Sequence, residues 1–503
     1  MSEPFYITTA ISYPNGPPHI GHAYEAIAAD AMARFQRQQG RDVRFQTGTD
    51  EHGLKMAQAA RTEGLEPRAF ADRMSRLFQD MCDTLNVSYD RFIRTSQPDH
   101  YRASQAIWKA MEERGDLYLD RYEGWYSVRD EAYYEPDELT SAEDGSKLSP
   151  QGTPVEWTVE ESWFFRLSKY QQPLLELYAA NPEFIRPESR RNEVVRFVEG
   201  GLKDLSISRT SFDWGVPVPG SNAHVMYVWL DALTNYITGL GYPEDTELWR
   251  RYWPADVHLI GKDVVRFHAV YWPAFLMSAG IELPKQVYGH GFLLSRGEKM
   301  SKSVGNVVDP MVLADRFGVD ALRYFLLREV SFGQDGSYSA EAIVARANAE
   351  LANSFGNLAQ RTLSMIHKNL GGVLPASGDN GADKELLAAV ELATGKEVPE
   401  AFDRFAFSVG IEAWLRAVFA CNAYIDAQAP WTLRKTDPER MAAVLGTLVV
   451  AVHDLARAIA PIIPMSADKL LTLIDAGEGG TPIAQPTPLF PKLELEEAEA
   501  AAE

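Results

Sequence analysis

Cysteine is almost missing from this chain, and so is any net positive charge. Only Cys82 and Cys421 occur among 503 residues, so neither a disulfide framework nor a four-thiolate metal site can form. The formal net charge is −21, which argues against a protein that coats DNA through a general basic surface. Any nucleic acid must therefore be bound through local patches, and DNA is not an expected partner.

Long apolar runs are missing as well. No stretch reaches the roughly 18 apolar residues of a membrane span, and the N-terminus, MSEPFYITTAISYPNG, has no basic region followed by an apolar run. We therefore expect a cytoplasmic protein with no membrane partner. The remaining composition, 46% hydrophobic and 24% charged, is typical of globular proteins, and the length suggests about three domains.

The order of patterns along the chain predicts the architecture. Strand and helix patterns alternate over the first 110 residues, which favours a parallel sheet whose ligands bind at the carboxyl ends of its strands. Aromatic stretches broken by turn residues then interrupt this pattern, which later resumes. The predicted elements are strands over 6–11, 44–49, 225–230 and 257–260 and helices over 19–39, 54–62 and 264–279.

The predicted fold class is accordingly α/β. A doubly wound parallel-sheet (Rossmann-like) domain with an inserted α+β connective module is followed by an α-helical bundle domain. A Pro/Gly-rich arm and an acidic tail end the chain. The predicted boundaries are 1–115 and 223–295 for the two halves of the sheet domain, 116–222 for the insert, 296–345 for a loop region, 346–480 for the bundle and 481–503 for the arm and tail.

The segment PNGPPHIGHAYEA, residues 14–26, places two histidines at the start of a predicted helix. His19 and His22 are three residues apart and share a helix face, so both can point at an anion on the helix N-terminus. Gly21 has no Cβ and would let a base or ribose approach the backbone. An HxxH pair by itself is equally typical of surface or metal-binding histidines.

A second cationic segment follows roughly 280 residues later, in SRGEKMSKSVGN, residues 295–306. Lys299 and Lys302 lie among glycines and serines, which predicts a mobile loop that carries two point charges. Such a segment alone is usually a solvated basic turn. Together with the histidine helix it suits a triphosphate that is cleaved between its α and β phosphorus.

These two segments, HIGH at 19–22 and KMSKS at 299–303, resemble the signatures of class I aminoacyl-tRNA synthetases. The segments TGTDEHG at 47–53, YVWLDAL at 227–233, IGKD at 260–263, FHAVYWPA at 267–274 and NAYIDAQAPW at 422–431 are similar to the methionyl members of that class. The resemblance implies ATP-dependent ligation of L-methionine to tRNA(Met) through methionyl-adenylate, with release of AMP and pyrophosphate. It also implies Mg²⁺ as a cofactor and an anticodon-binding role for the bundle.

The resemblance implies four catalytic side chains: His19 and His22 on the α and β phosphates, and Lys299 and Lys302 on the departing pyrophosphate, with Mg²⁺ on the β and γ oxygens. Because the carboxylate of methionine is already an anion, alignment and charge stabilisation must supply the rate. The implied ATP-binding residues are His19, Gly21, His22, Gly261, Lys262, Asp263, His290, Lys299, Ser301, Lys302 and Ser303.

Aromatic residues at the motif positions suit a methionine side chain. Each contact between sulfur and a ring contributes roughly 0.3 to 1.5 kcal/mol, and we expect a Tyr hydroxyl or a His N–H near the sulfur to add selectivity over norleucine. Core packing is the alternative role for these rings. The resemblance assigns the α-ammonium to Asp50, for which a turn or N-cap role is the alternative. The remaining implied methionine-binding residues are Ala10, Ile11, Tyr13, Trp229, Ala232, Tyr236, Val264, His268 and Trp272.

Three bundle residues match anticodon-binding positions of the family. Asn357 and Arg361 are four residues apart and share a helix face, and Trp431 can stack on an unpaired base. A buried Trp and a surface Arg are the alternative.

Many relatives bind zinc in the inserted module, but residues 116–222 contain no cysteine. We therefore predict a zinc-free insert that is held by aromatic packing.

Two rival functions stay open at this point. One is a small-substrate adenylyltransferase that uses the same histidine helix, and the other is a non-catalytic tRNA-binding scaffold. The scaffold would be expected to lose the histidines or lysines, all four of which are present. A monomer is the expected state.

Overall fold

The structure is a computed structural model that describes residues 2–495 except 131, 143, 296–297 and 300–306. The chain divides into two compact units. The first contains residues up to 29, 39–83 and 87–290, and the second contains 30–38, 84–86 and the described residues from 291 onward.

The first unit is built on a six-stranded parallel sheet with the strand order β3-β2-β1-β13-β14-β9. Ile7 of β1 lies opposite Phe45 on one side and Val257 on the other. The strands of this unit are β1 (Pro4–Thr9), β2 (Asp42–Thr49), β3 (Arg91–Arg94), β4 (Leu117–Ser127), β5 (Ala132–Tyr134), β6 (Thr140–Ser141), β7 (Lys147–Leu148), β8 (Glu156–Phe165), β9 (Ile185–Arg186), β10 (Leu205–Ser206), β11 (Ser208–Arg209), β12 (Val225–Met226), β13 (Val257–Gly261) and β14 (Val287–His290).

The strand order reverses between β1 and β13, because β2 and β3 extend the sheet on one side and β13 and β14 on the other. The predicted doubly wound α/β class is thereby confirmed, and ligands of such sheets bind at this reversal. The helices that begin in this unit are α1 (Ile20–Gln38), α2 (Leu54–Thr62), α3 (Pro67–Thr84), α4 (Pro98–Glu113), α5 (Gln171–Ala180), α6 (Glu188–Glu199), α7 (Val228–Thr238), α8 (Glu247–Tyr252) and α9 (Trp272–Ala279).

The predicted strand over 225–230 is wrong. Only Val225–Met226 is extended, and α7 begins at Val228. Apart from Trp229, every residue of α7 is buried. The run from Val225 to Leu230 is apolar throughout, and the polar residues that give α7 its helical spacing, Asp231, Thr234, Asn235 and Thr238, follow only after it, so the run looks like a strand. Trp229 and Tyr236 consequently lie two turns apart on one helix.

An antiparallel sheet with the order β10-β8-β4-β5 forms the insert. The predicted aromatic packing is present: the Trp125 and Trp157 rings lie 5.5 Å apart and the Tyr126 and Tyr133 rings 4.8 Å apart, although Trp157 is half exposed. The carboxylate of Asp130 adds a polar anchor that the sequence analysis did not foresee. It accepts hydrogen bonds from the hydroxyls of Tyr134, Ser149 and Thr153 at 3.0, 2.7 and 2.5 Å.

The second unit begins with a small sheet of the order β16-β15-β17, followed by helices. Its strands are β15 (Leu293–Ser295), β16 (Glu298–Lys299) and β17 (Gly336–Tyr338), and its helices are α10 (Pro310–Phe317), α11 (Val319–Glu329), α12 (Ala340–Arg346), α13 (Asn357–Asn369), α14 (Gly381–Leu392), α15 (Val398–Phe402), α16 (Phe407–Gln428), α17 (Pro430–Thr436), α18 (Pro438–Ile459) and α19 (Pro464–Asp475). A π-helical segment, Ala347–Gly356, precedes α13.

Helix α18 is long and apolar enough to cross a membrane by length and composition, but 61% of its most apolar stretch is buried inside the protein. It contacts α13, α14, α16, α17 and α19, as a core helix of the bundle does. The C-terminal arm also packs on this unit, because Asn348 and the backbone of Leu493 exchange two hydrogen bonds of 2.8 Å.

Candidate active site

A cavity of about 440 Å³ opens at the carboxyl ends of the parallel strands of the first unit. Residues that follow β1 and β2, the end of β13, and the helices α1 and α7 all contribute to its wall. The predicted site residues that line it are Ala10, Ile11, Tyr13, His22, Asp50, Trp229, Ala232, Tyr236, Gly261, Asp263, Val264 and His268. His22, which is predicted to bind phosphate, and all of the predicted methionine-binding residues except Trp272 therefore face one cavity.

The two signature histidines form a compact pair at the start of α1, with ring centroids 3.8 Å apart. The Gly21 amide donates to His19 Nδ1 and the His19 amide donates to His22 Nδ1, both at 3.1 Å. An Nδ1 that accepts an amide proton cannot donate, so in this arrangement each ring donates from Nε2. The pair is thus a set of oriented N–H donors.

Gly21 is required by the His19 ring. A Cβ at residue 21 would lie 2.8 Å from His19 Cε1 and 2.9 Å from Nδ1, closer than real contacts allow. We expect Gly21→Ala to turn the imidazole away and to lower kcat/KM for ATP–pyrophosphate exchange on the order of tenfold. Gly381→Ala is the matched control, because residue 381 also begins a helix but has open space around it. Equal exchange rates in the two variants would contradict this role.

Glu25 lies one turn after His22 on α1 and also lines the cavity. His290, which the resemblance assigns to ATP, makes a 2.8 Å hydrogen bond to the Glu25 carboxylate through Nε2. Burial raises the pKa of Glu25, and the hydrogen bond to His290 opposes part of that rise. The ends of α1 and β14 are thereby joined beside the cavity.

Asp50 stands at the start of a four-residue segment, 50–53, that we term the Asp50 loop. The Asp50 amide donates to the Ser12 carbonyl at 2.8 Å, so the loop that follows β2 is fastened to the segment that follows β1. The Asp50 side chain is buried and lines the cavity. A carboxylate in this place has the charge that an α-ammonium group needs.

Aromatic rings form the opposite wall. Trp229 stacks on Phe267 with ring centroids 3.7 Å apart and nearly parallel planes. Tyr236 also lines the cavity, whereas the fully buried Trp272 lies behind it, 6.0 Å from the Tyr236 ring. Trp272 therefore supports the wall and is not part of it.

The expected polar contact to sulfur is not available in this structure. His268 Nδ1 donates to the Val264 carbonyl at 3.0 Å, and burial lowers the pKa of His268 to about 4, so Nε2 carries no proton. The Tyr236 hydroxyl therefore donates to Nε2 at 2.6 Å. The Tyr236 proton is thus used within the pair and the His268 proton on the backbone, which leaves the shape and polarisability of the rings to select the thioether.

We expect Tyr236→Phe to lower the free energy of unfolding by about 1 to 3 kcal/mol, because His268 Nε2 loses its donor while it stays buried. The ratio of kcat/KM for methionine and norleucine should remain unchanged, since the lost hydroxyl proton does not face the sulfur. Urea unfolding and exchange kinetics measure the two effects. Tyr252→Phe, at a surface hydroxyl that binds Asp42, is the control, and a lost preference for methionine would contradict the hydrogen-bond direction.

The residues assigned to the nucleotide lie only partly at the cavity. Gly261 and Asp263 line it, while Lys262 lies between them in a 3₁₀ turn outside the lining set. Lys299 lies on β16, where its backbone is opposite Leu294. Ser301, Lys302 and Ser303 lie outside the described residues.

About half of the residues in the cavity wall are not among the residues predicted from the sequence. Glu25 could have been found from its position three residues after His22, on the same helix face. Arg129 and Asp130 belong to the insert, and no local signal places them beside β1. The lining residues that were not foreseen are Ser12, Glu25, Lys55, Arg129, Asp130, Tyr134, Gln151, Val228, Leu233, Asn235 and Phe267.

The three bundle residues lie on one face of the second unit. The Arg361 guanidinium lies over the Trp431 ring, 5.2 Å from its centroid, and makes a 3.0 Å ion pair with Asp426. Trp431 is 43% exposed, so it is not the buried tryptophan of the alternative interpretation. Asn357 is exposed one turn before Arg361 on α13. A flat ring, a cation and an amide are thus available to unpaired bases.

Among the residues that the structure describes, no group of three or more His, Cys, Asp or Glu side chains is placed so that it could bind one metal ion. Mg²⁺ usually retains its waters and is bound through substrate phosphates. Glu25 and Asp263, which line the cavity, have the carboxylate oxygens that Mg²⁺ takes as ligands.

Comparison with known proteins gives consistent matches along the chain. Residues 5–363 match the family of class I tRNA synthetases (M), and residues 374–499 match the anticodon binding domain of methionyl tRNA ligase. A methionine–tRNA ligase of Brucella suis is 58% identical over 97% of this chain and 98% of its own, and one of Mesorhizobium japonicum is 60% identical over 94% and 91%. The Mycobacterium tuberculosis methionyl-tRNA synthetase in complex with methionyl-adenylate is 55% identical, with a TM-score of 0.94 over 97% of this chain and 100% of that one.

Proposed function

The chain belongs to the methionyl-tRNA synthetases of class I, and from this premise we propose how its cavity carries out the reaction. The enzyme ligates L-methionine to tRNA(Met) through methionyl-adenylate, using ATP and releasing AMP and pyrophosphate. The observation that carries the assignment of residues is the single cavity that His22, Asp50 and the Trp229 wall share.

Methionine binds with its ammonium group at Asp50 and its thioether against Trp229, Tyr236 and Tyr13. The buried carboxylate of Asp50 matches the charge of the ammonium group, and the rings match a polarisable sulfur. Ala10, Ile11, Ala232, Val264 and His268 complete this subsite, and Trp272 holds Tyr236 from behind.

Activation needs no general base. A carboxylate oxygen of methionine attacks the α phosphorus, the bond from that phosphorus to the bridging oxygen breaks, and pyrophosphate leaves with the electron pair. His19 and His22 donate hydrogen bonds from Nε2 to the α and β phosphates, because their Nδ1 atoms already accept backbone amides. Such oriented donors stabilise the charge that develops in the transition state.

Lys299 and Lys302 supply positive charge to the leaving pyrophosphate, and the hydroxyls of Ser301 and Ser303 donate hydrogen bonds to it. Mg²⁺, held through the phosphates of ATP, would supply further positive charge there. Gly21, Gly261, Lys262, Asp263 and His290 hold the adenosine part, and the hydrogen bond from His290 to Glu25 fixes the edge of that subsite.

Transfer to tRNA requires the second unit. Methionine passes to the terminal ribose, by analogy within the class to the 2′-hydroxyl, while Asn357, Arg361 and Trp431 read the anticodon. The contact of Arg361 with Trp431 supports a joint role, since a base that stacks on the ring also lies beside the guanidinium.

Methionine-dependent ATP–pyrophosphate exchange, measured across the twenty amino acids, tests this function. Of the twenty amino acids, we expect only methionine to support exchange. We also expect the bound adenylate to disappear when tRNA(Met) is added. Exchange that tRNA does not affect would favour a small-substrate adenylyltransferase, and tRNA binding without exchange would favour a scaffold.

Domain boundaries, oligomeric state and zinc content are part of the proposal. The insert at 116–222 is zinc-free, the anticodon-binding domain covers 346–480, and the enzyme acts as a monomer. Sedimentation near 56.2 kDa and the absence of bound metal by elemental analysis are the expected results.

A further inference from the structure

A buried carboxylate behind the cavity bridges two buried imidazoles. Asp231 Oδ2 lies 2.6 Å from His52 Nδ1, and Oδ1 lies 2.7 Å from His100 Nε2. At most 1% of any of these side chains is exposed. His52 belongs to the Asp50 loop, His100 to α4 and Asp231 to α7. Three segments that are distant in sequence therefore meet at one carboxylate.

Every polar atom of the His100 ring has a partner. Thr238 Oγ1 donates to the Thr234 carbonyl at 3.0 Å and lies 3.0 Å from His100 Nδ1. The other ring nitrogen, Nε2, faces the Asp231 carboxylate and lies 3.2 Å from Ser104 Oγ. Burial raises the pKa of Asp231, but the two imidazoles outweigh burial and hold this pKa below its usual value, so the bridging group is a carboxylate.

His52 is held at both of its nitrogens. Its Nδ1 makes a 2.6 Å hydrogen bond to the Asp231 carboxylate, and its Nε2 makes a 2.9 Å hydrogen bond with the Tyr101 hydroxyl. The imidazole cannot rotate without breaking one of these bonds, and the backbone of the Asp50 loop is fixed with it.

The rest of the Asp50 loop is fastened to other segments. Trp214 Nε1 donates to the Glu51 carbonyl at 2.6 Å, and the Gly53 amide donates back to the Trp214 carbonyl at 3.0 Å. The Glu51 carboxylate accepts two hydrogen bonds from Arg94 at 2.7 and 3.0 Å. The Asp231 contact differs from these because it leads to α7, the helix that carries part of the cavity wall.

Asp231 lies beside the wall residues of α7 without facing the cavity. Its neighbours Trp229 and Ala232 line the cavity, and so does Asp50 on the other side. We propose that Asp231 is a positioning residue for amino acid binding: acting through His52, it holds the site of the methionine ammonium group in register with the site of the thioether. This inference rests on the proposed function of the cavity.

The test compares the wild type with Asp231→Asn, His52→Gln and the double variant in ATP–pyrophosphate exchange. Displacing Asp50 relative to the wall by a fraction of an ångström should raise KM for methionine on the order of 10- to 100-fold and leave KM for ATP unchanged. Because Asp231 acts through His52, KM for methionine in the double variant should not exceed the higher of the two KM values of the single variants. Unchanged KM for methionine, equal effects on both KM values, or additive effects would overturn the proposal.

Asp116→Asn is the matched control. Asp116 is also a buried carboxylate, bound by Lys169, Tyr170 and Ser278, but it does not border the cavity. We expect this variant to unfold more easily than the wild type and to retain the wild-type KM for methionine. A raised KM for methionine in this control would show that general destabilisation explains the effect, and would overturn the role of Asp231.

One further measurement applies if Asp231→Asn does not fold. Tyr101→Phe removes one hydroxyl at a partly exposed position and should raise KM for methionine severalfold, and an unchanged KM for methionine in this variant would overturn the proposal. A wild type without methionine-dependent exchange would instead refute the proposed function, so the two failures are distinguishable.

Discussion

Replacing His22 with alanine should remove about 2 to 4 kcal/mol of transition-state stabilisation from adenylate formation, a loss of roughly 30- to 1000-fold in kcat/KM. The reason is geometric: His22 lines the cavity, and the amide of His19 fixes its Nδ1 so that Nε2 carries the donated proton. Methionine-dependent ATP–pyrophosphate exchange is the measurement, with KM for methionine as an internal reference that should stay constant.

The control for this prediction is His453→Ala. His453 lies in the second unit, where it pairs with Asp454 and Asp475, and its removal should leave exchange unchanged. From the sequence we expect a loss of the same size for Lys302→Ala. If His22→Ala exchanges pyrophosphate at the wild-type rate, the phosphate role of the histidine helix is wrong.

The second large effect is expected at Trp431. Trp431→Ala should weaken transition-state stabilisation in the aminoacylation of tRNA(Met), measured from kcat/KM, by about 1 to 3 kcal/mol, which is the contribution of one stacked base. The exposed ring and the guanidinium of Arg361 above it form one platform, so the loss should appear in KM for tRNA. Methionine-dependent exchange without tRNA should not change, because Trp431 does not line the cavity of the proposed activation step.

Leu392→Ala provides the comparison for Trp431→Ala. Leu392 is also exposed and apolar and belongs to the same unit, but it was not assigned to the anticodon. Equal losses of aminoacylation in both variants would point to general destabilisation of the bundle. Loss of exchange in Trp431→Ala would contradict the separation of the two sites.

Local sequence signals predicted one helix to the residue. Helix α2 begins and ends at the predicted residues 54 and 62, because its helical spacing is bounded by glycines on both sides. The strand predicted over 225–230 overlaps the start of α7, because Val228, Trp229 and Leu230 continue the apolar run that begins at Val225. The polar residues of α7 follow only after Leu230, and a short apolar run by itself cannot be assigned to a strand or a helix from periodicity.

The site shows the same division. Motif residues such as His22, Asp50 and Trp229 could be grouped from the sequence, and all three line one cavity. The direction of the hydrogen bond between Tyr236 and His268 could not be foreseen, since it depends on the carbonyl of Val264 one helical turn away. The contribution of Arg129 depends on the fold of the whole insert, which no short segment encodes.

The backbone amides that donate to Nδ1 of His19 and His22 have a consequence for how the two phosphate-binding segments act on ATP. A hydrogen-bond donor acts on a phosphate group only within a narrow range of distance and angle, whereas the charge of a lysine acts over a longer range. We therefore expect the histidine pair to hold the adenylate by alignment and the lysines of the KMSKS segment to attract the departing pyrophosphate.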